Sequence, residues 1–318
     1  MIDLRNLETF VWIAQLGSFR AAAEQLHTTQ PGVSRRIALL ERELGVRLFE
    51  REPSGVVLTR KGRELMQYAE RMLRLRVELI EVARDKSAMR GLVRLGVAET
   101  LVHTWLSALI KRVNLAYPAV TLEIEVDTSP VMLQRLESNE LDAAFVNGPT
   151  NRPNLSNVAL SSYPMAWVAG PTIEFDTNPI SLGELSRWPI LTYLRDTGPH
   201  VAVRELFMRA DLPNARIYGN ASLSTIVRLT LDGIGVSAIP PVIVQRELKE
   251  ERLRIIDVQA ELPALNFTAV YPARPDSYVV ERVIELAREL GAAESHRSAD
   301  RKPRLQKRPA RPAAIRRR

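Results

Sequence analysis

Gln30, Ser34, Arg35 and Arg36 fall close together in the segment QPGVSRRIALLEREL, and each carries a group that can read the edge of a nucleic acid. A glutamine amide matches N6 and N7 of adenine, an arginine fork matches O6 and N7 of guanine, and a serine hydroxyl takes a base edge or a phosphate. Such groups act together only when one rigid element carries them into a groove. Few other constellations offer chemistry. The histidines at 27, 103, 200 and 296 show no two-histidine helical spacing for a metal. The chain has no cysteine, which excludes disulfides, thiolate zinc sites, iron–sulfur clusters and thiol nucleophiles. Phosphate-loop, Gly-x-Ser-x-Gly and Gly-x-Gly-x-x-Gly patterns are missing, and Glu123 with Glu125 alternates along a strand as a solvated pair. The residues therefore name no catalytic site, no metal and no cofactor.

The elements that must carry Gln30 to Arg36 read as three helices and a hairpin in residues 1–58. Leu4, Leu7, Val11 and Ala14 form one apolar face of a first helix that stops near Gly17. Ser18 is a natural N-cap for a second helix with Phe19, Ala22 and Leu26 turned inward. A third helix opens around Thr29 to Pro31, buries Val33, Ile37, Leu40 and Leu44, and ends at Gly45. That leaves Gln30, Gly32, Ser34, Arg35 and Arg36 facing outward. Glu52-Pro53-Ser54-Gly55 then has turn chemistry between two short extended runs, a wing-like hairpin.

From about Thr59 to Lys86 helix formers dominate, which predicts one long helix of roughly 40 Å at 1.5 Å per residue. Met66, Leu73 and Ile80 repeat every seven residues, with Ala69 and Ala83 at the alternate positions, and Leu65, Met72 and Leu79 widen the stripe. A second copy of the same helix is the expected partner. Beyond Gly91, short β-rich runs alternate with helices in two series, from Val93 to Val146 and from Ala166 to Ile239, closed by a strand at Phe267 to Tyr271 and a helix at about 276–290. Mainly parallel sheets in two lobes with a cleft between them follow, and the cleft is the expected small-molecule site.

The 318 residues carry a net charge of +7, but its location matters more than its size. Ten Lys or Arg stand against one acid from Arg297 to Arg318, leaving 34 basic and 36 acidic side chains in residues 1–296. The folded part is not basic overall, and residues 293–318 read as a disordered electrostatic tail. Such a tail either adds non-specific DNA affinity or keeps the protein soluble. No apolar run approaches the roughly 18 residues of a membrane span, and MIDLRNLETF lacks the features of a signal peptide, so a soluble cytoplasmic protein is expected.

Phe19-x-x-Ala22-Ala23-x-x-Leu26-x-x-x-Gln30-Pro31-x-Val33-Ser34-x-x-Ile37-x-x-Leu40-Glu41-x-x-Leu44-Gly45-x-x-Leu48-Phe49-x-Arg51, followed by Leu58-Thr59-x-x-Gly62, closely resembles the winged helix-turn-helix of LysR-type transcriptional regulators. The resemblance extends more loosely to about residue 291, through Gly91 to Gly96, Glu140 to Phe145 and Asp232 to Pro240. It implies a multidomain α and α/β protein: a DNA-binding domain over 1–58, a dimerising linker helix and hinge over 59–90, and a periplasmic-binding-protein-like effector domain over 91–292. Lobe I of that domain is expected at about 91–160 and 268–292, and lobe II at about 161–267. It further implies double-stranded DNA, a homo-oligomer built as a dimer of dimers and, for an activator, RNA polymerase as partners.

The DNA-binding set is Thr28, Thr29, Gln30, Pro31, Ser34, Arg35 and Arg36, joined by Arg51, Arg60 and Lys61 beside the wing. The wing tip departs from the family, which often has Arg or Lys there, so phosphate contacts are expected at its base. At strand ends and helix starts, Thr100, His103, Thr128, Ser129, Asn147, Thr197, His200 and Ser222 form the expected effector set. Hydroxyls with helix N-termini suit an anion, and a small organic acid is the expected effector. The competing reading is a small-molecule-binding protein or enzyme of the same fold without sequence-specific DNA binding.

Overall fold

The computed structural model describes residues 2–52, 55–83, 89–272 and 277–300. The first unit contains helices α1 (Leu4–Leu16), α2 (Phe19–Gln25) and α3 (Gln30–Leu44), then strands β1 (Phe49–Glu52) and β2 (Gly55–Leu58) paired antiparallel. Local chemistry sets each boundary. Asp3, Ser18 and Thr29 accept from the amides of Arg5, Ala21 and Gly32, while Gly17 and Gly45 end α1 and α3 in the left-handed region at φ 61° and 67°. Phe10, Val11, Ile13, Ala22, Val33, Ile37, Leu40 and Leu48 form its buried core. The expected hairpin turn at Pro53 and Ser54 lies outside the described residues.

Helix α4 (Arg60–Ala83) starts directly after the hairpin. A Cβ at Gly62 would stand 2.3 Å from the Leu48 carbonyl oxygen, so only glycine lets the helix pass the strand that closely. The apolar stripe divides differently from the expected seam. Ala69 and Leu73 are buried in the core of the first unit, with Met66 packed beside them. Tyr68, Met72, Leu75 and Leu79, at spacings of four, three and four, stay 58%, 40%, 52% and 70% exposed. The helix must first cover its own domain, so the row through Met66 and Leu73 is used internally and the free face is rotated from it. The side chains of Ile80 and Ala83, and residues 84–88, lie outside the described ones.

Lobe I is built on β3 (Arg90–Val97), β4 (Ala119–Val126), β5 (Ala143–Asn147), β6 (Leu155–Tyr163) and, from much later in the chain, β12 (Leu265–Pro272). Its sheet order is β4-β3-β5-β12-β6, with β3 parallel to β4 and β5 and β12 antiparallel to β5 and β6. Helices α5 (Glu99–Val102), α6 (Leu106–Ala116) and α7 (Ser129–Glu137) connect its strands. Lobe II holds β7 (Ala166–Ala169), β8 (Ile190–Tyr193), β9 (Ile217–Asn220), β10 (Val236–Ile239) and β11 (Arg254–Ile256), in the order β11-β7-β10-β8-β9. Helices α8 (Leu182–Leu185), α9 (Gly198–Arg209), α10 (Leu223–Leu231) and α11 (Gln245–Lys249) lie between those strands. Both sheets are mixed rather than mainly parallel, because β7 and β12 run against their neighbours.

Two sequence motifs meet in lobe I. The Asp142 carboxylate accepts from the Arg94 amide at 2.8 Å and from its guanidinium at 2.8 and 3.2 Å, which ties β3 to the start of β5. A Cβ at Gly96 would stand 2.8 Å from Leu141 and 2.9 Å from the Met132 sulfur, so this glycine lets α7 lie close on the sheet. The last helix corrects the expected tail. α12 runs from Tyr278 to Asp300, and the Ser295 hydroxyl accepts from the Ser162 amide at 3.0 Å, fastening the helix to β6. Residues 293–300 are therefore helical. Gly291 does not break α12 but lets it approach β6, where a Cβ would stand 2.6 Å from the Leu160 oxygen. Residues 301–318, the remainder of the expected tail, lie outside the described residues.

Candidate functional site

The first candidate surface is the outer face of α3. Gln30, Pro31, Ser34 and Arg35 are exposed there, at spacings that keep them on one side of the helix opposite buried Val33, Ile37 and Leu40. Thr29 is exposed and holds the α3 N-terminus by accepting from the Gly32 amide at 3.3 Å, while Thr28 is half-buried. Arg36 departs from the expected set. It is half-buried and donates to the Thr9 hydroxyl at 3.4 Å, so it fastens α3 to α1. Its position, three residues past Val33, turns it toward the neighbouring helix rather than outward.

Arg51 lies on β1 opposite Val56, and its side chain is outside the described ones. Arg60 and Lys61 are exposed in the first turn of α4, where both reach Glu64, at 3.3 and 2.6 Å. The ammonium of Lys61 holds the Glu64 carboxyl below the ordinary carboxylate range, with Arg60 adding to it. Cations at a helix N-terminus oppose the helix dipole, and Glu64 offsets both of them here. Sequence reasoning missed Glu64, although its spacing from both cations was readable.

The second candidate surface is a cavity of about 320 Å³ between the lobes. Lobe I contributes the ends of β3, β4 and β5, and lobe II the end of β8, the start of α9 and the end of β9. Carboxyl ends of parallel strands from both sheets thus face one space. Of the expected set, Thr100, Thr128, Ser129, Asn147 and Thr197 line the cavity. Thr100 is buried, with its hydroxyl 3.3 Å from the Tyr193 phenol oxygen. The Ser129 hydroxyl accepts from the Asn147 amide at 3.0 Å. Thr128 and Thr197 precede α7 and α9 without making a side-chain cap bond, and Thr197 instead donates to the Leu194 carbonyl.

His103, His200 and Ser222 are corrections, since none of them lines this cavity. His103 caps the end of α5 and turns to Glu99 at 3.7 Å. His200 is buried, with Nδ1 3.0 Å from the Tyr193 carbonyl oxygen, because the second residue after the α9 start turns into lobe II. The Ser222 hydroxyl is spent on the Thr225 amide as the α10 N-cap. Sequence reasoning missed Glu99, Asp127, Arg152, Tyr193, Asp196 and Asn220, all lining the cavity. Tyr193 ends β8 and Glu99 opens the helix just after β3, a signal that was available; Arg152 comes from the loop before β6, a strand that the sequence did not reveal. Arg152 pairs with Glu137 at 2.6 Å, so carboxylates outnumber free cations around the cavity. Burial pushes the Tyr193 phenol up. Among the described residues no cluster of three or more His, Asp or Glu could hold one metal ion, and no helix is long and apolar enough to cross a membrane.

Comparison with known proteins assigns a family to both units. The profile of the bacterial regulatory helix-turn-helix protein, lysR family, matches residues 4–63, and that of the LysR substrate binding domain matches residues 86–292. The HTH-type transcriptional regulator YofA of Bacillus velezensis is 28% identical, covering 90% of this chain and 97% of its own. The RuBisCO operon transcriptional regulator of Allochromatium vinosum is also 28% identical, covering 88% of this chain and 90% of its own. Among solved structures, an H2O2-bound OxyR mutant of Corynebacterium glutamicum shares the fold at a TM-score of 0.55 and 22% identity, over 97% of this chain and 98% of its own. A full-length OxyR variant from Pseudomonas aeruginosa does so at 0.54 and 24%, over 97% and 99%. With an outward-facing recognition helix on one unit and a two-lobed cleft on the other, the chain belongs to the LysR family of DNA-binding transcriptional regulators, which are not enzymes.

Proposed function

We propose that this regulator reads its DNA sites through Gln30, Ser34 and Arg35, and that a small organic ligand with one carboxylate controls it from the cleft. The exposure of those three side chains on one face of α3 carries the DNA reading. Arg60 and Lys61 supply phosphate contacts at the base of the wing. Two chains pair through Tyr68, Met72, Leu75 and Leu79 of α4, which brings two recognition helices to successive major grooves of a near-palindromic site. Dimers join into a tetramer, and the protein acts in the cytoplasm, with RNA polymerase as a further partner if it activates.

For the ligand, the first amides of α7 and α9 lack side-chain caps and border the cavity, which favours an anionic head group. Glu99 in the same cavity, with Asp127 directly before the α7 cap and Asp196 directly before the α9 cap, disfavours a second negative charge. The absence of cysteine removes thiol oxidation as a signal for this chain, whatever its fold relatives sense. Ligand binding shifts the arrangement of subunits and so the bend of the DNA.

The test is selection of fragmented genomic DNA by the purified full-length protein at about 0.15 M salt, where non-specific phosphate contacts are weakened. Enrichment of a few sites with two-fold symmetric cores is the expected result, and genes beside them nominate the acid. Uniform recovery of all fragments would overturn the reading.

A further inference from the structure

Helix α10 begins in lobe II, yet its N-terminus is finished by a side chain from lobe I. The Glu99 carboxylate accepts from the Leu223 amide at 2.6 Å and from the Ser224 amide and hydroxyl at 3.2 Å each. These are the first two amides of the helix, which have no partner within it, and the Ser222 hydroxyl takes the Thr225 amide that follows. The α10 terminus is therefore satisfied by an anion that the protein carries itself. The α7 and α9 termini, which face the same cavity, have no such side-chain cap.

Two features mark this as a clasp between lobes rather than an ordinary surface contact. Glu99 and Leu223 are separated by 124 residues and open helices of different lobes, α5 and α10, so the bonds exist only while the lobes hold their present separation. The Glu99 side chain is only 21% exposed and lines the cavity, as Thr100 does beside it. Thr100 makes a second link across the gap to Tyr193. His103, which caps the end of α5, reaches Glu99 at 3.7 Å.

We propose that Glu99 is a positioning and specificity-determining residue: a built-in carboxylate that holds the two lobes at their resting separation and denies the α10 N-terminus to an incoming acid. A ligand carboxylate is then left with the α7 and α9 termini, and any ligand that rearranges the lobes must break or re-form the Glu99 bonds. The clasp does not depend on the effector being an acid, since it is a relation between two parts of this chain.

The full-length chain has no cysteine, so spin labels can be introduced cleanly by Gln134→Cys on α7 of lobe I and Lys249→Cys on α11 of lobe II, both exposed. Labelled chains are diluted with unlabelled ones so that pairs within one chain dominate the pulsed distance measurement. With Glu99 intact, a narrow inter-lobe distribution is expected. Glu99→Ala should broaden it, and sodium acetate, compared with sodium chloride at equal ionic strength, should narrow it again in a saturable way by occupying the vacated terminus. Glu99→Gln, close in shape but uncharged, should give an intermediate width and guards against a loss of folding in the alanine variant. An unchanged distribution in both variants would overturn the clasp. Equal narrowing by acetate with and without Glu99 would also overturn it, because the ion would then be acting at α7 or α9.

Discussion

The hydroxyl of Thr100, in the short helix α5 that follows β3 of lobe I, lies 3.3 Å from the phenol oxygen of Tyr193, at the end of β8 in lobe II. Either hydroxyl can donate across the gap. Tyr193→Phe removes one partner of this bond and leaves the buried Thr100 hydroxyl without it. The expected loss is about 1 kcal/mol of stability, seen as a lower denaturation midpoint with an unchanged denaturant slope.

Base reading and helix anchoring separate along α3. Ser34→Ala or Arg35→Ala should cost about 1–3 kcal/mol of site-specific affinity per subunit and relax the preference at one base position. Arg36→Ala should instead loosen the link to Thr9, lowering the melting temperature of the winged unit while leaving base preference intact. Binding to a panel of single-base site variants distinguishes the two outcomes.

Arg60 and Lys61 share Glu64, and that sharing has a measurable consequence. Arg60→Ala with Lys61→Ala should weaken binding to all sequences and flatten the dependence of affinity on salt by about two phosphate contacts per subunit. Glu64→Gln should act in the opposite direction, because it frees both cations for phosphate. Fluorescence anisotropy over a salt series reads both.

Tyr68, Met72, Leu75 and Leu79 form an exposed apolar row on a helix that already buries Ala69 and Leu73 in its own domain. Replacing Met72 and Leu79 with Glu should shift sedimentation toward smaller species and abolish cooperative binding to two half-sites, since charge repels along the seam. The circular dichroism of the folded chain should remain.

Glu184 sits in lobe II beneath the loop before α8. Its carboxylate accepts from the Thr177 hydroxyl and amide and from the Asp176 amide, and these bonds, that of the hydroxyl first, hold its pKa below the ordinary carboxylate range. A depressed folded pKa means that the stabilisation is complete above the unfolded carboxylate pKa and is lost as pH falls through the folded one. Glu184→Gln should therefore lower the melting temperature at neutral pH, and the difference from the parent should vanish in strong acid.

Caps and apolar spacing in the winged unit were legible because they are local: Ser18, Thr29, Gly17 and Gly45 do their work within a few residues of where they stand. The cleft was legible only in part. Thr100, Thr128, Ser129, Asn147 and Thr197 follow from the rule that ligands meet strand ends, whereas His200 and His103 follow the same rule and turn elsewhere. Which way a side chain turns at a helix start depends on the register of the whole helix against its sheet. β6 escaped notice because its run LSNVALSSY has weak alternation, and it is an edge strand recruited by β12 from more than a hundred residues away.

The sequence by itself determined the outward chemistry of α3, the winged scaffold that presents it, the long helix and the lack of any thiol or catalytic constellation, since each depends on residue type and short-range spacing. Only the tertiary structure decided that Glu99 completes a helix in the opposite lobe, that Arg36 is an anchor and that the free stripe of α4 runs through Tyr68 and Leu75. Those relations join residues distant along the chain, and no local propensity encodes the distance at which two separately folded sheets come to rest.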